Sequence, residues 1–385
     1  MPKTAFRLES FTESVIREMT RISDKYNAIN LSQGFPDFDP PPELVAAARR
    51  ALAEGYHQYA ITWGSPRFRS ALAKKQQTWM QIPINPDTNI VVTCGATEAM
   101  IVAMMTVCNS GDKVIIFSPF YENYGADTIL CGAEPVFVPL YPPTFDFDPE
   151  ELRKAFQEGV KALVLCNPSN PAGKVFSSDE LEFIAKLACE YDTFVITDEV
   201  YEHIVYKPNI HRYMAAFPDM ESRTISCGSL SKTYSITGWR LGYVIASADV
   251  INAAKKVHDF LTVGAAAPLQ EAAVAALELP LSYYLKLQKE YTQRRDLFLT
   301  YLDSAGLQYM TPQGAYYVLV DISEFGFEND VLFCQWLAKD VGVAAVPGSS
   351  FFHEPVNHLI RFHFAKKEKT LKAAGEKLLQ IGSLL

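Results

Sequence analysis

The sequence lacks the features that would assign it to several large classes of protein. Its seven cysteines occur singly and form no Cys-x-x-Cys pair, which argues against a disulfide framework or a zinc cluster. Charged residues interrupt the first 25 positions and leave no apolar core for a signal peptide. The most apolar run, residues 99–108, is too short to cross a bilayer. We therefore expect a reduced, cytoplasmic protein without a metal site.

Clusters of basic residues are missing as well. The chain has 35 Lys and Arg against 44 Asp and Glu, which gives a net charge of −9. Binding to nucleic acid or to an anionic membrane is therefore not expected to be its main task. With 49% hydrophobic and 21% charged residues, the composition is that of an ordinary globular chain and excludes intrinsic disorder.

The order of apolar segments predicts an α/β fold with two domains. A chain of 385 residues is longer than one hydrophobic core usually organises. Seven short apolar runs alternate with helical patterns, which indicates a mostly parallel seven-stranded sheet covered on both faces. These runs are residues 90–94, 113–117, 136–138, 162–166, 193–197, 224–227 and 242–246. We predict a large domain over residues 46–280, and a smaller α+β domain from residues 1–45 and 281–385.

Two long helices are predicted near the chain ends. Residues 8–26 have an amphipathic pattern that predicts one helix. A second, highly charged helical pattern covers residues 281–305. Both belong to the predicted smaller domain.

Polar residues follow four of the predicted strands, at the sheet edge where ligands bind in such folds. Ala96 and Thr97 lie in a turn of small residues that leads into a predicted helix, residues 98–108, whose positive end could bind phosphate, although an ordinary strand-to-helix turn has the same composition. Asn170 either offers its amide to a ligand or only favours a tight turn. Asp198 either faces a cationic ligand group or caps a following helix.

The fourth loop contains a lysine among serine, threonine and glycine residues. A free lysine has a pKa of about 10.4, so Lys232 must be desolvated or held as an imine to serve as a nucleophile. Ser229, Ser231 and Arg240 together suit a phosphate monoester. Because the loop lies between two apolar strands, a plain solvated surface loop is disfavoured.

One cofactor chemistry would use all four loops. A pyridine aldehyde phosphate requires a lysine, an acid facing its ring nitrogen, donors to its phenolate oxygen and a phosphate cup. The residues that could supply these parts, in that order, are Lys232, Asp198, Asn170 with Tyr201, and Ala96, Thr97, Ser229 and Arg240. The combination is far more specific than any one loop.

These motifs resemble those of class I, fold type I pyridoxal-phosphate-dependent aminotransferases. Residues 229–233 and 238–240 resemble the lysine signature of the family, and the similarity extends to residues 30–37, 167–171, 198–201 and 360–362. It is greatest to the kynurenine, glutamine and methionine aminotransferase branch, with bacterial aspartate aminotransferases nearby. The resemblance implies ping-pong transfer of an amino group between an L-amino acid and a 2-oxo acid, with pyridoxal 5'-phosphate as cofactor.

The resemblance also implies a role for each residue around the cofactor. Lys232 would hold the cofactor as an imine and later move a proton between the substrate α-carbon and the cofactor. Asp198 would keep the ring nitrogen protonated. Asn170 and Tyr201 would bind the phenolate oxygen, and Tyr121 would stack on the ring.

Further residues would bind the substrate and the neighbouring subunit. Arg361 would pair with the substrate α-carboxylate, and Asn170 and the backbone of Gly34 would complete that site. Tyr59 would reach the cofactor phosphate of a second subunit, which implies a homodimer with shared active sites.

Departures from the family pattern bear on the substrate. Thr97 stands where bacterial aspartate aminotransferases often have a lysine, which weakens the case for aspartate. Alanines at 265–267 replace an aromatic pair of the kynurenine-type enzymes, and Ile16 stands roughly where they have a tryptophan. A strictly aromatic pocket is therefore not expected. Trp63 and Tyr124 either line the substrate pocket or belong to the core.

Three functions other than aminotransfer share parts of this pattern. A C–S β-lyase of the same fold would use the same lysine, acid and carboxylate-binding arginine. A ligand-sensing regulator would need a basic DNA-binding extension, whereas the chain begins about 30 residues before the Gly34 motif. A nicotinamide-dependent dehydrogenase is disfavoured because no Gly-x-Gly-x-x-Gly motif follows the first strand of the sheet.

Overall fold

The computed structural model describes residues 3–11 and 13–384. Its strands are β1 Ile29–Asn30, β2 Ile90–Thr93, β3 Lys113–Ser118, β4 Glu134–Tyr141, β5 Asp146–Phe147, β6 Ala162–Cys166, β7 Phe194–Asp198, β8 Thr224–Ser229, β9 Gly242–Ile245, β10 Gln308–Met310, β11 Tyr317–Asp321, β12 Val343–Ala344, β13 Val346–Pro347 and β14 Leu359–His363. Its α-helices are α1 Val15–Tyr26, α2 Pro42–Ala53, α3 Pro66–Met80, α4 Ala96–Val107, α5 Asn123–Leu130, α6 Pro149–Gln157, α7 Ser178–Glu190, α8 Ala248–Thr262, α9 Ala267–Leu277, α10 Leu281–Ser304, α11 Asp330–Trp336 and α12 Glu368–Leu378. Among these residues, no helix combines the length and the apolar composition needed to cross a membrane.

The large sheet has the strand order β2-β9-β8-β7-β6-β3-β4-β5. Strands β4, β3, β6, β7 and β8 pair in parallel, and β9 pairs antiparallel with both β8 and β2. The predicted α/β class with a mostly parallel sheet is confirmed. The predicted number of strands was one too low, because the two-residue strand β5 folds back on β4 and is too short to produce a pattern in the sequence.

Helices cover both faces of this sheet, which explains why its strands are apolar throughout. Ile115, Leu163 and Val195 point to a core shared with α6 and α7. Their neighbours Val114 and Val164 point to the opposite core, shared with α4 and α8. Successive residues of a strand face opposite sides, so an apolar residue is needed at every position. The polar residues therefore gather at the strand ends.

Both ends of the chain contribute to a second core. The antiparallel sheet β10-β11-β14-β13 packs against α10 and α12, and β1 pairs in parallel with β12. Met19 and Leu31 share this core with Phe298, Val318 and Phe362. Its position matches the expected smaller domain, whose boundaries at residues 45 and 280 stay a prediction.

The helix near the N-terminus begins later than predicted. A short 3-10 turn, Phe6–Ser10, precedes it, and α1 starts only at Val15. The start is fixed by Glu122, which accepts hydrogen bonds from the Ser14 hydroxyl at 2.6 Å and from the Val15 N–H at 3.1 Å. This distant carboxylate cannot be deduced from the local pattern. The predicted helix 281–305 is confirmed as α10.

Candidate active site

A cavity of about 770 Å³ opens at the carboxyl ends of the parallel strands. All the residues predicted for the site line it except Tyr59: Gly34, Ala96, Thr97, Tyr121, Asn170, Asp198, Tyr201, Ser229, Lys232, Arg240 and Arg361. The cavity also receives residues from α1 and from the second core, including Tyr317. Residues far apart in the sequence are thus brought to one place, although the individual roles assigned to them stay predictions.

Lys232 follows β8 and projects into the interior of the cavity. Its Nζ donates a hydrogen bond to the carbonyl of Gly34 at 3.2 Å and lies 5.7 Å from the ring centre of Tyr316. Burial lowers the pKa of Lys232 to about 8, and the charge of Asp198 offsets only part of this effect. At pH 7 roughly one lysine in ten would then carry a neutral, nucleophilic amine. The fold therefore desolvates Lys232, as a nucleophilic lysine requires.

This lowered pKa predicts how the reactivity of the cofactor-free protein depends on pH. We expect modification of Lys232 by a small aldehyde and borohydride to be half-maximal near pH 8, because the neutral amine forms as pH rises through its pKa. The measurement is the modified fraction of the peptide, by mass spectrometry. Lys113 is the internal control, since its hydrogen bond with Glu158 raises its pKa. Equal profiles for both lysines would contradict the prediction.

Asp198 ends β7 and accepts two hydrogen bonds. The hydroxyl of Tyr124 donates to Oδ2 at 2.7 Å, and the N–H of Val200 donates to Oδ1 at 3.2 Å. Burial raises the pKa of Asp198, and the bond from Tyr124 lowers it in part. A protonated ring nitrogen facing it would favour its ionised form. The helix-capping alternative is wrong, because turns and not a helix follow the strand.

From the sequence, Tyr124 could belong either to the substrate pocket or to the core. It is almost fully buried and also reaches the cavity, where it supports Asp198. Trp63 lies outside the cavity lining and packs at the edge of the core with Lys255 over its ring at 4.6 Å. For Trp63 the structure therefore favours a role in the core over a role in the substrate pocket.

A cluster of donors at the start of α4 can bind a phosphate group. The helix begins at Ala96, and its first N–H groups have no partners within the helix. Beside it, Arg240 donates to the carbonyls of Thr237 at 3.0 Å and Cys94 at 3.3 Å. Gly95 permits this approach, since a Cβ atom there would lie 2.2 Å from the guanidinium. The positive helix end and the arginine thus face the same part of the cavity.

The carboxylate of Glu98, in the first turn of α4, is held by three hydrogen-bond partners. Its Oε1 binds Nδ1 of His258 at 2.7 Å and the Thr262 hydroxyl at 2.6 Å, and its Oε2 accepts from the N–H of Cys94 at 2.5 Å. Burial raises the pKa of Glu98, but these hydrogen bonds lower it more. No local pattern in the sequence indicates this contact, which joins residues 160 positions apart.

Arg361 lies on β14 and is completely buried. Its Nη1 donates to Oδ1 of Asn170 at 2.7 Å, and its Nη2 donates to the carbonyl of Ser32 at 3.1 Å. The guanidinium lies between the rings of Tyr317 and Phe351, at 4.2 and 4.4 Å. Within the described part of the chain, its Nε has no hydrogen-bond partner. A fixed guanidinium of this kind suits a carboxylate.

Tyrosine hydroxyls connect the two parts of the site, which come from the large sheet and from the second core. The hydroxyls of Tyr201 and Tyr317 are 2.9 Å apart, and Tyr316 donates to the carbonyl of Gly34 at 2.8 Å. Gly34 has no room for a side chain, because a Cβ atom would lie 2.2 Å from the Tyr317 hydroxyl. Tyr316 and Tyr317 were not predicted as site residues, because no local pattern in the sequence marks them.

The donor set fits pyridoxal phosphate. A buried amine, a buried carboxylate, a tyrosine hydroxyl and a cationic cup line one cavity, as the cofactor requires. Arg361 remains outside this set and is available to a second anion. Tyr59 does not reach the cavity of its own chain, and its side chain is 89% exposed.

A buried ion pair lies behind Tyr201. Lys75 of α3 binds Oε1 of Glu202 at 2.7 Å, and both side chains are almost completely buried. Gln76 and Tyr213 donate to Oε2 at 3.1 and 2.7 Å. Burial raises the pKa of Glu202, but the charges and hydrogen bonds of Lys75 and His203 together outweigh this effect and hold the pKa well below its usual range, so the carboxylate stays ionised. The pair ties α3 to the segment that carries Asp198 and Tyr201.

Replacement of Lys75 by methionine is therefore expected to lower the free energy of unfolding by about 3–5 kcal/mol, because it leaves a buried carboxylate without its cation. Chemical denaturation measures the difference. In the matched control, Lys113→Met, an exposed pair with Glu158 is broken instead, and we expect almost no change. Equal free energies of unfolding for the two variants would show that the buried pair does not stabilise the fold.

Comparison with known proteins gives consistent results. A sequence profile of the family described as aminotransferase class I and II matches residues 26–378. Methionine aminotransferase of Escherichia coli strain K12 is 37% identical over 376 residues, which cover 97% of each chain. Human kynurenine–oxoglutarate transaminase 1 is 34% identical and covers 97% of each chain. The structure of N-succinyldiaminopimelate aminotransferase from Mycobacterium tuberculosis matches with a TM-score of 0.95 at 35% identity over 100% of both chains.

Proposed function

The chain belongs to the class I and II aminotransferases, enzymes of amino-group transfer, and from this premise we propose that it uses pyridoxal 5'-phosphate to move an amino group between an L-amino acid and a 2-oxo acid. The observation that carries the proposal is the meeting of Lys232, Asp198, Arg240 and Arg361 in one cavity. The C–S β-lyase alternative is not favoured, since the relatives named above are aminotransferases.

Each part of the cavity has a separate task in this proposal. When bound, pyridoxal phosphate supplies a ring that accepts the electron pair of the substrate α-carbon. Arg361 binds the α-carboxylate through two parallel hydrogen bonds and so fixes the orientation of the α-carbon. The Nζ atom of Lys232 would take the proton from the substrate α-carbon and pass it to the cofactor, and it would move a proton in the reverse direction when the 2-oxo acid is aminated. Asp198 would face the ring nitrogen, and Arg240 with the start of α4 would hold the phosphate.

We propose further that two copies of the chain complete each other's sites. Tyr59 would reach the phosphate of the neighbouring copy, which agrees with its exposure in a single chain. Phe260 is 91% exposed, and its neighbour Leu261 lines the cavity, so an exposed apolar surface borders the site. Sedimentation equilibrium should give twice the chain mass of 43.0 kDa. A monomer that retains full activity would reject the shared site.

The cytoplasm is the proposed location of the enzyme. All seven cysteines are free thiols in the structure, and two of them, Cys227 and Cys334, are buried. Free thiols of this kind are stable in a reducing compartment. Fractionation of cells that produce the natural protein would test the location.

The visible spectrum of the purified protein tests the reaction. We expect a visible cofactor band that bleaches on addition of a single amino acid and returns on addition of a 2-oxo acid. A band that persists while ammonia and pyruvate accumulate would instead indicate a lyase. If no band forms even with added pyridoxal phosphate, the cofactor and the roles of all the site residues would be rejected.

A further inference from the structure

The cavity contains one cation that the proposed reaction does not use. Lys232 serves as the amine, Arg240 faces the phosphate and Arg361 faces the α-carboxylate. Arg17, from the first turns of α1, also lines the cavity and is otherwise exposed to solvent. Each of the other three cations has an assigned anionic or covalent partner in the proposed function, whereas Arg17 has none.

Helix α1 is held across the mouth of the cavity by contacts on either side of Arg17. At its start, Ser14 and Val15 donate hydrogen bonds to Glu122, next to Tyr121. One turn beyond Arg17, the hydroxyl of Thr20 lies 3.1 Å from Oε1 of Gln33, next to Gly34. Ile16 and Arg17 lie between these two anchors, so the position of Arg17 is set by the fold.

The carboxylates around the cavity already have partners. Glu13 forms the ion pair of Arg21, at 2.8 Å. Glu122 accepts the hydrogen bonds that start α1, and Glu98 is occupied by His258 and Thr262. In the part of the chain that the structure describes, residues 3–11 and 13–384, no ion pair includes Arg17. Its guanidinium is therefore available to an anion that enters the cavity.

Several other residues that line the cavity are apolar. They include Ile16 of α1, Met100 and Ile101 of α4, Leu261 at the end of α8, and Phe35 beside the carboxylate site. Such residues suit the methylene groups of a substrate side chain. A substrate that bridges the site would thus have one carboxylate at Arg361, an aliphatic middle and a second anionic group at Arg17.

We propose that Arg17 binds the distal carboxylate of a dicarboxylic 2-oxo acid and so sets the preferred acceptor. This inference rests on the proposed function and specifies its substrate class. Donors with apolar side chains remain compatible, because an exposed arginine at the mouth can point into solvent. Donors with a basic side chain are disfavoured, since their charge would face Arg17.

The test compares two acceptors of similar length in the holoenzyme, 2-oxoglutarate and the neutral 2-oxohexanoate. Arg17→Leu is expected to lower the ratio of their kcat/KM values tenfold to a hundredfold. The matched control is Arg21→Leu, which removes an arginine one turn further along α1 that pairs with Glu13. It should leave the ratio unchanged. Arg17→Lys should restore part of the preference, since a positive charge is kept.

A binding measurement separates this inference from the reaction itself. Calorimetric titration of the holoenzyme with glutarate, which cannot react, should show affinity that falls tenfold or more in Arg17→Leu but not in Arg21→Leu. Equal effects of Arg17→Leu on both acceptors, or unchanged glutarate affinity, would overturn the role of Arg17 while leaving aminotransfer in place. Absence of turnover with either acceptor in the unmodified enzyme would count against the proposed function instead, and the glutarate titration would still decide about Arg17.

Discussion

Replacement of Lys232 by alanine is expected to reduce kcat by roughly 10⁴-fold or more, because the proposed site then lacks both its nucleophile and its proton carrier. The visible cofactor band should disappear with it. The fold should survive, since Lys232 makes one hydrogen bond to the Gly34 carbonyl and its charge is disfavoured by Arg240 and Arg361. Single-turnover kinetics, the visible spectrum and thermal unfolding of the same sample measure these three expectations.

A second buried lysine provides the matched control for this variant. Lys366 donates to the carbonyl of Phe35 at 3.3 Å, and burial lowers its pKa as well. It lies beside the same loop but does not line the cavity. Lys366→Ala should therefore keep the visible band and its reduction by borohydride. A band that survives in Lys232→Ala and is still reducible would show that another amine holds the cofactor.

The parts of the site that could be predicted from the chain pattern are those at the strand ends. In a parallel sheet the carboxyl ends of neighbouring strands meet at one edge, so the polar residues after β2, β6, β7 and β8 had to come together. The cavity lining agrees with this expectation for Thr97, Asn170, Asp198 and Lys232. These four residues can be predicted from their local sequence, because each lies at or just after the end of a strand that is apolar on both faces.

Other residues could be named only through the family resemblance. Gly34 follows a short strand pair, Tyr121 lies in a loop and Arg361 lies in the middle of β14. Neither periodicity nor a turn signal marks these positions as functional. Arg361 in particular has the sequence appearance of an ordinary charged strand residue, whereas it is completely buried between two aromatic rings.

A third group became visible only in three dimensions. The bond from Tyr124 to Asp198 spans 74 positions and that from His258 to Glu98 spans 160, so no local pattern contains both partners. Arg17 and Arg21 are similar in the sequence, as two basic residues one turn apart. Their difference arises because the contacts of α1 with Glu122 and Gln33 place Arg17 over the cavity.

The largest expected effect on substrate binding is that of Arg361→Leu. Truncation of one partner of a buried, hydrogen-bonded charge pair costs about 2–5 kcal/mol, so kcat/KM should fall roughly 30- to 5,000-fold for every amino donor and every 2-oxo acid acceptor. The fall in kcat/KM should come mainly from a higher KM. It should affect every substrate, since the α-carboxylate is common to all of them. Steady-state kinetics with one neutral and one dicarboxylic substrate on each side of the reaction measure it.

Arg361→Lys is the matched control, because it keeps the charge but cannot form two parallel hydrogen bonds to a carboxylate. We expect it to recover only part of the loss, since the partners Asn170 and Ser32 are placed for a planar guanidinium. The variants also distinguish the two arginines of the cavity. Loss of Arg361 should affect neutral and dicarboxylic substrates alike, whereas loss of Arg17 should affect dicarboxylic ones selectively. If the effect of Arg361→Leu were confined to dicarboxylic substrates, Arg361 would be the residue that binds the distal carboxylate, and the α-carboxylate would have to be bound elsewhere.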